Sequence, residues 1–480
     1  MRKEVIWLIA SQFWRSAFKS KGIYLLMGIM AVLLSYAAYS GIQYHEQNHF
    51  REDHQEIARD SWEANPDKHP HRMAHFGTFA FRIKHPLSIF DFGIESFTGN
   101  AVFLEAHKQN MVNFSEASFS TGLLRFGELS LAMILSTLLP LVVFFIGYSA
   151  VAGERENGTL KILLTQGAKW LEILVGKSLG LLGISLLFIL PFLLTTLILL
   201  ISESHLNGDT WLRFGLVSTA YLLFTCILCF ISIFISARSL SSKDALVKLL
   251  GLWLLMVVLL PRTTQALGAY FYQTPSKLTF RSVIEEEVIQ TGDSHNPNDP
   301  HYTALRDSVL RVHKVESVTE LPFNYGGFVM SQGEKLSTHI YNKHYNDLLD
   351  QYRRQNLLMR WLALVNPYLA IKNLSMALCG TDFETYVGFQ KQAEDYRYML
   401  AQKMNDLQMK YISAQKVSGS EGKTHVVDRA EWEAFPDFSY APISIGSSVR
   451  YEFISIFSLL MWTVLMIFWI GNLSKKAKAI

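Results

Sequence analysis

Charged side chains are scarce in this sequence. They make up 18% of the 480 residues, against 50% hydrophobic, where a soluble domain carries about a quarter charged. The shortfall is uneven: a few long runs are apolar, and the stretches between them are as polar as any soluble protein. That distribution excludes a single soluble domain and points to a membrane protein with substantial aqueous parts. Cysteine is nearly absent too. Cys226 and Cys229 lie inside an apolar run, flanked by Phe224 and Phe230. A zinc or redox CxxC needs partners, and no second pair exists, so both read as small membrane-packing residues. Cys379 is alone outside the apolar runs, so no intrachain disulfide staples the aqueous parts. Strand-like alternation and Asn-Gly turns are scarce, and no dinucleotide fingerprint or nucleophile motif is present. Basic residues form no nucleic-acid face. Gly176-Lys177-Ser178 imitates the end of a phosphate-binding loop, but the pattern needs glycine at 171, which is Leu171.

Six stretches reach the roughly 20 apolar residues needed to cross a bilayer as a helix: 22–44, 128–152, 177–201, 211–236, 245–270 and 451–473. Each must be helical, because lipid offers no partner to an open backbone group. The lead-in of about 20 residues is too long for a cleaved signal peptide. Residues 1–21 place Val5, Ile6, Leu8, Ile9, Phe13, Trp14, Ala17 and Phe18 at helical spacing beside Arg15, Lys19 and Lys21, which predicts a basic amphipathic helix along the membrane surface. Lysine and arginine bias sets the orientation. Arg155, Lys161, Lys169, Lys177, Arg238, Lys243, Lys248, Lys475, Lys476 and Lys478 fall on the side of the N-terminus; the opposite short loop 202–210 carries Glu203 and Asp209 and no cation. Both termini are therefore expected inside, and segments 45–127 and 271–450 outside. Helical patterns at 334–365 and 382–411, separated by Asn366-Pro367, predict an α-rich outer domain built from both segments. The expected fold class is an all-α polytopic membrane protein with six transmembrane helices, an N-terminal interfacial helix and an α-rich extracytoplasmic domain. Pro140 and Pro191 are expected to kink spans two and three.

Segment 153–176 carries the chemistry. It begins Gly153-Glu154-Arg155-Glu156-Asn157-Gly158-Thr159-Leu160-Lys161-Ile162-Leu163-Leu164-Thr165: a span ends, charges of both signs follow, and a glycine interrupts before a short amphipathic helix. A docking groove accepts such a helix by its apolar face while charges at its start fix orientation. Eight of the 15 histidines fall in the first outer segment. His69, His71 and His75 are the candidates for converging on zinc or copper. No cysteine or regular carboxylate spacing accompanies them, so no metal is assigned and they read as solvated or hydrogen-bonding side chains. Arg262 follows Pro261 in the outer half of span five, where a charge usually faces a bundle interior or cavity; it is a candidate for the translocation path or for pairing with an outer carboxylate.

The loop resembles the E-x-E-x-G-T-L-x-x-L-L pattern of type-2 ABC exporter permeases, with Glu154, Glu156, Gly158, Thr159 and Leu160 matching. The surface helix, six spans and the short third outer connection resemble that family as well. The two long outer segments are similar to a bacterial subgroup that includes permeases of gliding motility and of nitrous-oxide-reductase maturation, as is the run 366–382. The resemblance implies a permease in the bacterial inner membrane whose 153–176 loop, with Arg155 and Leu163 beside the matched residues, couples to an ATPase. It further implies two copies of a separate ATPase that binds ATP and magnesium, and a second permease, identical or homologous. Membrane lipid and a periplasmic or lipoprotein partner complete the expected contacts. This chain is expected to hold no cofactor and to be no enzyme. The other reading is a complex of the same build that relays motion to periplasmic proteins without transport.

Overall fold

The computed structural model describes residues 1–110, 129–202, 207–296, 298–413 and 425–476. Glu128, Glu203 and Lys478, to which the sequence assigns a span start, a loop charge and a tail charge, lie outside them. The chain is an all-α polytopic membrane protein. Among the described residues six helices are long and apolar enough to span a membrane: Lys21–Glu63, Leu131–Glu156, Trp170–Ile201, Gly208–Arg238, Ser242–Phe271 and Phe453–Lys475. They are called spans one to six below. The strand pairing described is one antiparallel hairpin, Thr78–Phe81 with Ala101–Leu104, in register Thr78 to Leu104.

Span one is a single helix of 43 residues. At 1.5 Å per residue it is about 64 Å long, twice the roughly 30 Å of hydrocarbon. The sequence predicts a span that ends near Tyr44, but residues 45–63 contain neither glycine nor proline. Side-chain pairs such as His49–Glu52 at 3.0 Å and Arg59–Glu63 at 2.8 Å support continued winding. The helix stops just before Asn65-Pro66.

Two spans change winding near a proline. Ile134–Leu138 and Leu254–Leu259 are π-helical, and Pro140 and Pro261 follow at once. Proline lacks the N–H that would close the turn behind it, which leaves carbonyls for other donors. Behind Pro261 a neighbouring side chain supplies one: Asn366 Nδ2 donates to the Met256 carbonyl at 2.8 Å, while Trp253 Nε1 donates to the Thr137 carbonyl of the other π-helical turn at 2.9 Å. Pro191 sits inside a helix whose winding is unbroken.

The largest core joins spans two, three and four to two pieces of the long segments. One is the helix Pro367–Cys379, with ten of its 13 residues buried. The other is 87–92, where the Phe90 carbonyl accepts from Ala132 N at 2.8 Å and its ring meets Tyr221 edge-on. Arg213 locks this junction. It is 1% exposed, pairs with Asp209 at 2.5 Å and donates to the carbonyls of Leu378 and Ile443. An ion buried this deeply is stable only with its donors satisfied.

Beyond the junction, helices Tyr325–Leu362 and Phe383–Tyr411 carry the hairpin and the end of span one. Trp62 Nε1 donates to the Trp432 carbonyl at 3.1 Å, and Trp432 Nε1 returns to Asn65 at 3.2 Å. Between the two helices Arg397 and Glu334 form a buried ion pair at 2.6 Å. Arg397 also donates to the Glu105 carbonyl, so both long segments share one interior.

Candidate coupling site and histidine cluster

Span two ends in the short helix Ala152–Glu156; after Asn157 and Gly158 the chain re-enters a helix, Thr159–Thr165. Gly158 has φ +74°, and a Cβ there would meet nothing within 4 Å. Glycine is needed for the left-handed backbone, not for space.

The charges before the turn face the chain itself. Glu154 pairs with Lys177 of span three. Arg155 donates to the carbonyls of Ala237, at 2.8 Å, and Ser239, which the end of span four leaves without helical partners. Glu156 accepts from the Ser242 hydroxyl at the start of span five. One turn is thereby tied to three spans. Thr159 Oγ1 donates back to the Glu154 carbonyl at 3.2 Å. Leu160 is buried and Leu163 partly buried against the main core. The remaining surface is Asn157, Gly158, Thr159, Lys161, Ile162, Thr165 and Gln166, with Ile162 the exposed large apolar side chain at 54%.

The helix Lys3–Ala17 lies against span three, burying Ile6, Ile9, Ala10 and Phe13. Gly176, Gly180 and Gly183 make room for it. A Cβ on Gly176 would sit 2.8 Å from Ile9 Cβ and 2.9 Å from the Ile6 carbonyl; one on Gly180 would sit 2.9 Å from the Ala10 carbonyl. Small residues at this spacing let helix backbones approach closely. The glycine of the false phosphate loop is therefore a packing residue. Arg2 anchors the helix start on Glu172 through Nη2 at 2.8 Å and Nε at 3.2 Å. Trp7 and Leu8 stay exposed on the other face. The sequence signals were the apolar spacing and the three glycines; the Arg2–Glu172 pair, 170 residues apart, left none.

Arg262 is exposed on span five and meets no carboxylate among the described residues. Of the two roles open to it, pairing with an outer carboxylate is not seen among the described residues.

Of the three candidate histidines, His71 and His75 come together and His69 does not. His69 Nδ1 instead accepts from the His71 N–H and caps the helix Pro70–Phe76. The third member is His107: one ring nitrogen from each of His71, His75 and His107 lies within 4.8 Å of the others. Gly77, at φ +63°, turns the helix back so tightly that a Cβ would strike the Leu104 carbonyl at 2.5 Å. His107, itself left-handed at φ 61°, then follows the second strand. Its ring stands 5.1 Å from that of His295 of the second long segment. Burial, then the neighbouring histidines, pushes the His71 imidazole down to about 4, so it is neutral at pH 7. Burial pushes the Glu334 carboxyl up, but the hydrogen bond with His107 and the Arg397 charge outweigh it and hold it at about 2.

The fold and these sites define a multi-pass helical membrane protein whose long segments form one α-rich domain. Residues 277–441 match a family described as a domain of unknown function (DUF3526). A stretch of 132 residues is 31% identical to the probable ABC transporter permease protein NosY of Pseudomonas aeruginosa, covering 27% of this chain and 48% of that protein. The chain thus matches about half the length of that curated relative, and it is similar to ABC transporter permeases.

Proposed function

We propose that this chain is the membrane-spanning subunit of an ATP-driven exporter of the ABC class. A separate ATPase, bound in two copies with ATP and magnesium, would dock at 153–167 from the cytoplasm, and both termini would lie on that side of the bacterial inner membrane. The observation that carries the reading is the turn itself. It exposes a small docking face while Glu154, Arg155 and Glu156 tie it to the ends of spans three, four and five. A displacement imposed on Thr159–Thr165 is thereby transmitted to three spans together. Similarity to a named ABC permease supports the same reading.

The second permease would cover span five, much of whose apolar surface (Val247, Leu254, Leu255, Val258, Leu259, Leu267) is exposed in the single chain. Arg262 lies exposed on that helix, where a cation between two subunits would border the translocation path. The chain itself would contribute no nucleotide chemistry.

The test is a charge swap. Glu154→Lys, facing Lys177, should lower complex-stimulated ATPase activity at least about tenfold, equivalent to about 1.4 kcal/mol, with membrane insertion unchanged. Glu154→Lys with Lys177→Glu should restore most of it. Full activity in the single variant would show that this loop does not couple.

A further inference from the structure

We infer that His71, His75 and His107 form a transition-metal site that clamps the two long segments together, with His295 as the fourth ligand. Three independent features meet there. His71 and His75 are one helical turn apart on the same face, so both rings point the same way. Gly77 then reverses the chain, and the Ala106 N–H donates to the Ala74 carbonyl at 3.1 Å, fixing His107 over that face. The third feature is the carboxylate behind His107. Glu334 Oε2 takes the His107 backbone N–H at 3.0 Å and stands 3.2 Å from Nδ1. With Nδ1–H given to the carboxylate, Nε2 carries the lone pair. That nitrogen is buried and has no hydrogen-bond partner among the described residues. Histidines that bind metals are commonly held this way, with a carboxylate on one ring nitrogen and the other nitrogen left open to the ion.

The geometry lies a short step from coordination. Tetrahedral imidazole ligation at 2.0–2.1 Å places nitrogens about 3.4 Å apart, whereas those of His71, His75 and His107 lie within 4.8 Å and the His295 ring stands 5.1 Å from that of His107. His75 is exposed and His71 only partly buried, so both rings have room to turn towards His107. An all-imidazole set favours zinc, copper or nickel over magnesium or calcium. His71, His75 and His107 come from the first long segment; His295, Glu334 and Arg397 come from the second. The inference concerns this domain alone and holds whether or not the chain is a permease.

The experiment uses the full chain in detergent, stripped with chelator and titrated with zinc chloride by calorimetry; a parallel cobalt(II) titration is followed by visible absorption. We expect one ion per chain with Kd below about 1 μM, tetrahedral cobalt bands, and a higher Tm for the loaded protein. His71→Ala with His75→Ala, which removes side chains at least partly open to solvent, should weaken binding at least about 100-fold. Glu334→Gln should weaken it about 10- to 100-fold. The His45–His49 pair on span one, whose Nε2 atoms are 3.2 Å apart, is the competing site. His45→Ala with His49→Ala should leave the tight ion in place. The inference is overturned if tight binding is absent, survives loss of His71 and His75, or disappears with His45 and His49.

Discussion

At the residue scale the recurrent device is a polar group given a partner from a distant stretch of chain. Asn366 caps the helix Pro367–Cys379 with its carbonyl oxygen and takes the Met256 carbonyl with its amide. Arg213 closes carbonyls of two elements, and His85 lies 3.7 Å from Asp209 beside it. Burial, then the Arg213 charge, pushes His85 down to about 4. The sign follows. The unfolded chain binds a proton at this site below about 6.5, and the folded chain does not until about 4. Stability contributed by His85 is therefore unchanged above pH 6.5 and lost as pH falls from 6.5 towards 4, by up to about 3 kcal/mol. His85→Asn keeps a cap acceptor for Leu87 N and removes the titration. The drop in Tm between pH 7.5 and pH 5 should shrink in that variant; an unchanged drop would contradict the assignment. The long-range partnerships leave no mark in sequence, because Asn366 and Met256, His85 and Asp209, and Arg213 and the carbonyls of Leu378 and Ile443 are joined only by the fold.

At the element scale the legible features were those whose cause is local. An apolar run of span length must be a helix, and Gly158 after mixed charges announces a turn. Asn366-Pro367 marked a helix boundary and became a cap and first turn. The helix of span one winds on past Tyr44 to Glu63 because hydropathy reports where lipid stops and says nothing about where winding stops. The hairpin was missed because its four-residue strands carry too short a pattern. Likewise, the charges at 154–156 showed in sequence, while their attachment to spans three, four and five did not. The glycines of span three give this scale its prediction. Gly176→Leu places a branched side chain on the Ile6 carbonyl and Ile9, at a cost of about 1–3 kcal/mol. It should release the helix Lys3–Ala17, seen as faster hydrogen exchange over residues 3–17. Gly183→Ala, which meets only the Trp14 ring, should change exchange little. Equal protection in all three proteins would mean that the glycines do not hold the helix.

At the scale of the molecule, one core runs from the candidate coupling turn through the spans into the helix Pro367–Cys379 and the 87–92 segment. Those two pieces of the long segments share the interior of the bundle, while the hairpin and the helix Phe383–Tyr411 pack in two further cores. A displacement of Thr159–Thr165 would reach those two pieces through one packed core. In the proposed function an ATPase supplies that motion. The most direct measurement is purification of the tagged chain in mild detergent, with mass spectrometry of the proteins that accompany it. The account predicts a stoichiometric phosphate-loop ATPase, lost when the exposed face is altered by Ile162→Asp. Recovery of the chain without any ATPase, under conditions that keep a known ABC complex intact, would contradict it.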